Sequence, residues 1–354
     1  MTRLEDRLAL AWSELPNAAG GAVAGLSVGR VRETAATGVA DADTGRALMA
    51  SDRLPVASLT KPVVATAAVR LWQQRGIALD APMVNLLPDL APSWRASRRI
   101  SLRHLLSHTS GLRVDVAPDE LAGYGDAEDS LAQAVRMTVQ YGQTYRPGAA
   151  WQYSNAGYAL AGYVLGEVTG STFEQALREH LFAVAGMSHS GFDPGDAVGH
   201  ADGAPIRAGY ARARRPGGGL VSTVDDILSF AEFAMDDSAS WQATGRAVAW
   251  GQMGSVYALG WNLDRGGRLR WHAGDWGGCH SMLAVVPALR VAVAVVATDD
   301  AAVTLRRDFV WAELTRQTGL RRARVIPAAR TAAATLRGAA ARAVGAAIPR
   351  TLTW

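Results

Sequence analysis

Ser58 stands three residues before Lys61 in the stretch Val56-Ala57-Ser58-Leu59-Thr60-Lys61-Pro62, where the sequence turns helical. Residues at i and i+3 share one face of a helix, so a hydroxyl and an amine at this spacing can meet. A serine hydroxyl is a weak nucleophile until a neighbouring base takes its proton. Lys61 is the only lysine in the chain, and every other one of the 36 basic residues is arginine. Arginine serves wherever only positive charge is needed, so position 61 requires what arginine lacks, a group that can lose its proton. Two further segments follow in order: Tyr153-Ser154-Asn155, ahead of a helix, and His272-Ala273-Gly274, ending a predicted strand. Tyr153 brings a phenol of ordinary pKa about 10. Beside a cationic Lys61 its ionised form would be favoured, making it a base in acylation and an acid toward the leaving group. The residues leave open which of the two is the base. Asn155 can hydrogen-bond either a substrate or Lys61. A serine at a helix N-terminus also keeps its own N–H available to an oxyanion. Taken singly, Tyr153 reads equally as a half-buried structural aromatic, Ser154 as a cap and His108 as part of a helix stop. Cys279 reads as a small buried thiol, with His280 beside it near the third segment.

These residues need a scaffold. An amphipathic helix is expected from the spacing of Leu4, Leu8, Ala11, Trp12 and Leu15. Two antiparallel strands, Gly20 to Gly29 and Arg30 to Val39, follow around a Gly29-Arg30 turn. Leu59 to Arg75 reads as a helix stopped by Gly76, with Pro62 tolerated in its first turn. The block 80–216 is helix-rich and broken by Pro-Gly and Ser-Gly turns; it includes helices at Ser101 to His108, Asn155 to Thr169 and Phe173 to Ala183. Gly162 and Gly166 share one face of the second of these, which predicts a close helix neighbour. Strand patterns return at Tyr257 to Leu263, Arg268 to His272, Ser281 to Val286 and Arg290 to Ala297, and Arg306 to Gln317 closes as a helix. The expected fold is α/β (α+β): an antiparallel sheet flanked by helices, from 1–79 and 217–318, with 80–216 as an inserted helical subdomain.

Composition agrees with a packed globule. Of 354 residues 49% are apolar and 19% charged, which suits one large domain or two intertwined subdomains. No run reaches membrane-spanning length. The N-terminus carries acids and no apolar signal core, so a cytoplasmic protein is expected. One cysteine excludes an internal disulfide. The seven histidines lack metal-ligand spacing, so neither metal nor cofactor is expected. The net charge of +4 is uneven, because residues 319–354 hold seven arginines and no acid, leaving a mildly acidic body. No nucleic-acid motif is present. The Ala/Arg-rich tail reads as a solvated appendage, or as a basic amphipathic segment that meets an acidic partner or a membrane surface.

With all three segments in this order, the chain resembles the serine β-lactamase and penicillin-binding protein superfamily, in the branch of class C β-lactamases, D-alanyl-D-alanine carboxypeptidases and family VIII esterases. Four further stretches carry the likeness: Leu105 to Leu112, Pro147-Gly148 with Tyr153 to Tyr158, Gly218 to Thr223, and Leu259-Gly260-Trp261. The resemblance spans about residues 20 to 318. It implies that Ser58 is acylated, that Lys61, Tyr153 and His272 complete the catalytic set, and that the second oxyanion N–H belongs to Asp275. It places Asn155, Gly274 and Trp276 against the substrate. His272 stands where many β-lactamases carry a lysine, a fixed cation for a substrate carboxylate, and it is mostly neutral near pH 7. Asp275 and Trp276 would add an acid and a bulky aromatic, suiting a neutral or amine-bearing acyl compound. Ala183 to Met187 lacks the proline usual in the matching segment. The expectation is a serine hydrolase on a small acyl substrate, foremost a carboxylic ester. Acyl transfer, β-lactamase, D-aminopeptidase or D,D-carboxypeptidase activity are alternatives within the same chemistry, and a non-catalytic binding protein of the same fold is the alternative outside it.

Overall fold

β1 (Gly21–Val28) is small and apolar along its length and buried at all but its last residue. A strand of that kind must be central, and it is, in an antiparallel sheet that has nine strands among the described residues. The computed structural model describes residues 3–320, except 118–119, 121–126, 208, 246–248, 251–255 and 265–266. The basic tail beyond residue 320 therefore lies outside the described residues. The other strands are β2 (Val31–Asp41), β3 (Arg46–Ala47), β4 (Leu54–Pro55), β5 (Gly199–Ala201), β6 (Ala204–Ile206), β7 (Val221–Ser222), β8 (Ala249–Trp250), β9 (Val256–Tyr257), β10 (Asn262–Leu263), β11 (Arg270–Trp276), β12 (Cys279–Val286) and β13 (Val291–Ala297). Their order in the main sheet is β3-β2-β1-β13-β12-β11-β10-β9-β8, while β4 pairs with β7 and β5 with β6.

β12 and β13 are buried at every residue, so both sheet faces are covered. The helices Leu4–Ser13 and Leu305–Thr318 pack on the sheet and on each other, and Val224–Asp236 packs on β1 and β13. The helix Thr60–Gln74 is buried without a break from Thr60 to Val69, so it runs through the interior with the site at its N-terminal end. One apolar cluster joins it to Tyr158 and Leu160 of helix Asn155–Thr169, to Leu220, and to Val296 of the sheet. Gly162 does meet a close neighbour, the short turn Arg215–Gly218, where a Cβ would lie 2.4 Å from Pro216 Cγ. Among the described residues no helix is long and apolar enough to cross a membrane.

Two strand boundaries differ from the periodicity. The predicted strand Tyr257 to Leu263 is two short strands, β9 and β10, because the chain reverses at Gly260 with φ +81. Gly260 donates its N–H to Leu106 O at 3.1 Å and faces the interior helix, where a Cβ would stand 2.5 Å from Ala65 Cβ and 3.1 Å from Lys61 O. An alternating pattern carries no mark of such a turn except the glycine. The strand predicted to end at His272 runs on to Trp276, since the hairpin turn is Gly277-Gly278. Gly260→Ala combines a left-handed Cβ with overpacking, so a stability loss of about 2–4 kcal/mol is expected. Urea unfolding of the purified variant measures it, and a loss below 1 kcal/mol would show that the interior helix yields.

Candidate active site

Ser58 lies in a single 3-10 turn, Ala57–Leu59, that runs directly into helix Thr60–Gln74. Ala57 holds φ +48, a left-handed conformation that strains a residue with a side chain by about 1–2 kcal/mol. The surroundings enforce it. Ser281 Oγ donates to Val56 O at 2.6 Å, Val56 N–H to Leu220 O at 3.0 Å, and Leu220 N–H to Thr60 Oγ1 at 3.0 Å. Ser58 is thereby presented half-buried at the head of an otherwise buried helix.

Lys61 is fully buried. Its Nζ lies 3.1 Å from Ser58 Oγ and 2.8 Å from Asn155 Oδ1, and also contacts the Gly217 carbonyl. Burial disfavours the ammonium and brings its pKa down from 10.5 to about 7; Asp115 opposes the fall and Arg214 adds to it. The Tyr153 hydroxyl donates to Ser58 Oγ at 2.8 Å. The expected ionisation of Tyr153 does not follow, however. Burial, with Tyr257 nearby, lifts its pKa well above 10. Lys61 Nζ sits over the ring, 4.5 Å from its centroid, so the cation meets the π face. At neutral pH Tyr153 is therefore a proton donor and Lys61 the group that can accept.

The second segment leads into the helix Asn155–Thr169. Ser154 caps helix Asn155–Thr169 by accepting the Gly157 N–H at 2.8 Å. Its own N–H donates to His108 Nδ1 at 3.1 Å, and the buried His108 ring packs 4.4 Å from Tyr153 and 4.9 Å from Tyr257. His108, read from sequence as part of a helix stop, also positions Tyr153. Asn155 donates from Nδ2 to Asp115 Oδ2 at 2.9 Å, and Arg214 bridges to the same oxygen. Asp115, Arg214 and the Gly217 carbonyl escaped the sequence reading. Asp115 lies in a loop and Arg214 in a three-residue 3-10 turn, both too short to show periodicity, and a carbonyl carries no residue signature.

The third segment lies on β11. Gly274 faces the Ser58 turn so closely that a Cβ would stand 2.6 Å from Ser58 N and 2.5 Å from Val56 O. Gly277 and Gly278, at φ +53 and +75, make a two-residue turn, so Trp276 and Cys279 are the pair exchanging hydrogen bonds. Alternation along the ladder then makes Asp275 and His280 a non-bonded pair, which directs the Asp275 N–H outward from β12. Among the described residues β10 pairs with β11 only at Arg270 and Trp271, and none of them pairs with that edge at Asp275. The turn thus brings Ser58 N–H beside β11, on which the Asp275 N–H faces that edge.

His272 is buried and hydrogen-bonded away from Ser58: Nδ1 faces Ala273 O at 2.8 Å and Nε2 faces the Tyr257 hydroxyl at 3.1 Å. Burial, and then Lys61, lower its pKa to about 3, so it is neutral. The Asp275 side chain is not the free acid expected beside the cleft. It pairs with Arg306 at 2.8 Å and His280 at 2.6 Å, and His280 also reaches Asp300 at 2.9 Å. Burial raises the Asp275 pKa, but these partners outweigh it and the net shift is downward. Trp276 packs edge-on against Tyr210 at 4.8 Å, with the Arg214 guanidinium 5.6 Å from its ring. Cys279 is buried and its thiol is pushed up to about 12 by desolvation. No group of metal-ligating side chains occurs among the described residues.

The family described as Beta-lactamase matches residues 11–316. The chain is 28% identical to "Penicillin-binding protein 4" of Amycolatopsis lactamdurans over 318 residues, covering 81% of this chain and 82% of the relative. It is 27% identical to "Esterase EstB" of Burkholderia gladioli over 320 residues, covering 67% and 80% respectively. The solved class C beta lactamase of Rhodobacter sphaeroides shares the fold, with a TM-score of 0.70, 20% identity, and 87% of this chain and 99% of that one covered.

A buried amine that titrates near 7 leaves a mark on stability. Lys61 has a pKa of about 10.4 when unfolded, so between about pH 7 and 10 the unfolded state binds the additional proton. Stability must rise with pH across that window, by on the order of 4 kcal/mol for this group. Lys61→Met should be more stable than the parent at pH 7 and lose most of that advantage by pH 10. Urea midpoints of both proteins at the two pH values measure it; an advantage independent of pH would mean that Lys61 is not desolvated.

Proposed function

The chain belongs to the beta-lactamase family and is a serine hydrolase, and we propose that it hydrolyses carboxylic esters of small neutral acyl compounds through an acyl-enzyme on Ser58. One observation carries the ester reading. Every charged side chain placed at the site among the described residues has a counter-charge: Asp115 has Arg214, and Asp275 has Arg306. Lys61 is driven toward neutrality, and His272 is neutral. A substrate carboxylate, as in a β-lactam or a peptide terminus, would be desolvated there without a fixed, unpaired cation to receive it, which costs several kcal/mol. A neutral ester meets no such cost. The kinship to an esterase over most of that protein's length points the same way.

In this reading the ester carbonyl oxygen lies between the N–H groups of Ser58 and Asp275. Lys61 takes the hydroxyl proton as Ser58 Oγ bonds to the carbonyl carbon. The tetrahedral oxyanion gains from both donors, each worth about 10²–10³ in rate. As the C–O bond breaks, Tyr153 gives its proton to the departing alkoxide and recovers one from the Lys61 ammonium. Water then repeats the sequence on the acyl-enzyme.

Short-chain p-nitrophenyl esters should give an acylation burst, followed by steady turnover. Ser58→Ala should abolish both. The kcat/KM for p-nitrophenyl butyrate should exceed that for the carboxylate-bearing hemisuccinate ester, and nitrocefin should turn over more slowly still. Nitrocefin hydrolysis faster than that of the butyrate, or ester turnover that survives Ser58→Ala, would overturn the assignment.

A further inference from the structure

We propose that Asp115 is a positioning residue for the reaction: its carboxylate fixes which end of the Asn155 amide faces Lys61, and so aims the Lys61 lone pair at Ser58. This rests on Lys61 as the base.

The two ends of an asparagine amide have nearly the same shape and opposite hydrogen-bonding character. Asn155 presents Oδ1 to Lys61 Nζ at 2.8 Å and Nδ2 to Asp115 Oδ2 at 2.9 Å. A carboxylate only accepts, so the NH₂ end must turn to Asp115 and the oxygen is left for Lys61. Asp115 is itself held at both oxygens. Oδ2 pairs with Arg214 and Oδ1 accepts the Val116 N–H at 2.9 Å. The Arg214 guanidinium in turn packs against the rings of Tyr210 and Trp276, at 5.9 and 5.6 Å.

The consequence for Lys61 is one of counting. A neutral amine has two N–H donors and one lone pair. Its polar neighbours are Asn155 Oδ1, the Gly217 carbonyl and Ser58 Oγ. The first two can only accept, so they consume both N–H bonds and leave the lone pair for the Ser58 proton. Were the Asn155 amide reversed, its NH₂ would claim the lone pair, and an N–H would turn to Ser58. The amine would then be neutral and close by, yet unable to act as a base.

Asp115→Asn keeps the shape and removes the obligate acceptor, while Asp115→Leu removes hydrogen bonding altogether. Misaimed catalytic groups can cost about 10²-fold, so burst-phase acylation should slow about 10-fold in Asp115→Asn and up to about 100-fold in Asp115→Leu. The dissociation constant of a neutral ester, read from the concentration dependence of the burst rate, should stay within about 2-fold, since neither substitution touches the substrate. The decisive measurement is the same pair of substitutions in an Asn155→Ala background. Acting through Asn155, they should there change acylation by less than about 2-fold. Losses that multiply across the two sites would overturn the proposal, as would unchanged acylation in Asp115→Asn. Thermal unfolding monitors folding, and Asp115→Asn serves if Asp115→Leu does not fold. Retention of acylation by Lys61→Met would instead overturn Lys61 as the base, and is read separately from the cycle.

Discussion

Burying one ammonium group is the constraint on which the site depends. Lys61 has no exposed surface and sits within a helix that is buried on every side for ten residues. An isolated charge there would be untenable, so the protein surrounds the amine with three oxygens and lets its proton become labile. Those oxygens come from the Ser58 turn, the Asn155 helix and the Gly217 turn. Three separate stretches of chain must therefore converge within hydrogen-bond distance of a single nitrogen. That demand explains why the chain's one lysine is here: a guanidinium would fill the space, stay charged, and leave no lone pair.

Convergence of this kind needs places where backbones approach without side chains between them. Gly274 lets β11 press against the Ser58 turn, and Gly260 lets the β9–β10 reversal press against the helix that carries Lys61. The Ser58 turn pays with a left-handed Ala57, which three hydrogen bonds from the sheet and the Leu220 segment hold in place. The sheet contributes direction as well as rigidity. A two-residue turn at Gly277-Gly278 sets the phase of the β11–β12 ladder, and that phase alone decides that the Asp275 N–H faces outward. One more residue in the turn would shift the ladder's phase and could direct the same N–H into the sheet.

Much of this was legible in the sequence where local rules operate. The Gly29-Arg30 turn, the Asn155–Thr169 helix with its Ser154 cap and the closing helix are read from turn chemistry and period, and they fall where those signals put them. The spacing of Ser58 and Lys61 holds because a 3-10 turn continues into an α-helix without changing the face they share. What was illegible is what depends on distant segments. The Tyr257 to Leu263 pattern conceals a reversal that only the packing of Gly260 on Ala65 explains. Asp115 and Arg214 lie 99 positions apart, one in a loop and the other in a short 3-10 turn, and neither has a local reason to be polar and half-buried. The state of Tyr153 depends on whether Lys61 meets its hydroxyl or its ring, which spacing cannot say.

Asp275 shows how one residue number can hide two opposite roles. Read as a letter beside Gly274, it is an acid at the mouth of the site. In a strand, though, successive side chains point to opposite faces. With Gly274 facing Ser58, the Asp275 side chain belongs to the other face, where Arg306 and His280 receive it. Only its N–H remains at the strand edge. Arg306 also donates to the Gly274 and Ser281 carbonyls on the two strands, so the pair that removes the charge also ties β11 to β12 behind the N–H. The acid therefore acts on the site as an anchor for a backbone dipole. Together with the Asp115–Arg214 pair, this leaves a site whose polarity comes from oriented N–H groups, a phenol and an amine that titrates near 7. Such a site stabilises charge that develops during reaction more than charge a substrate brings with it.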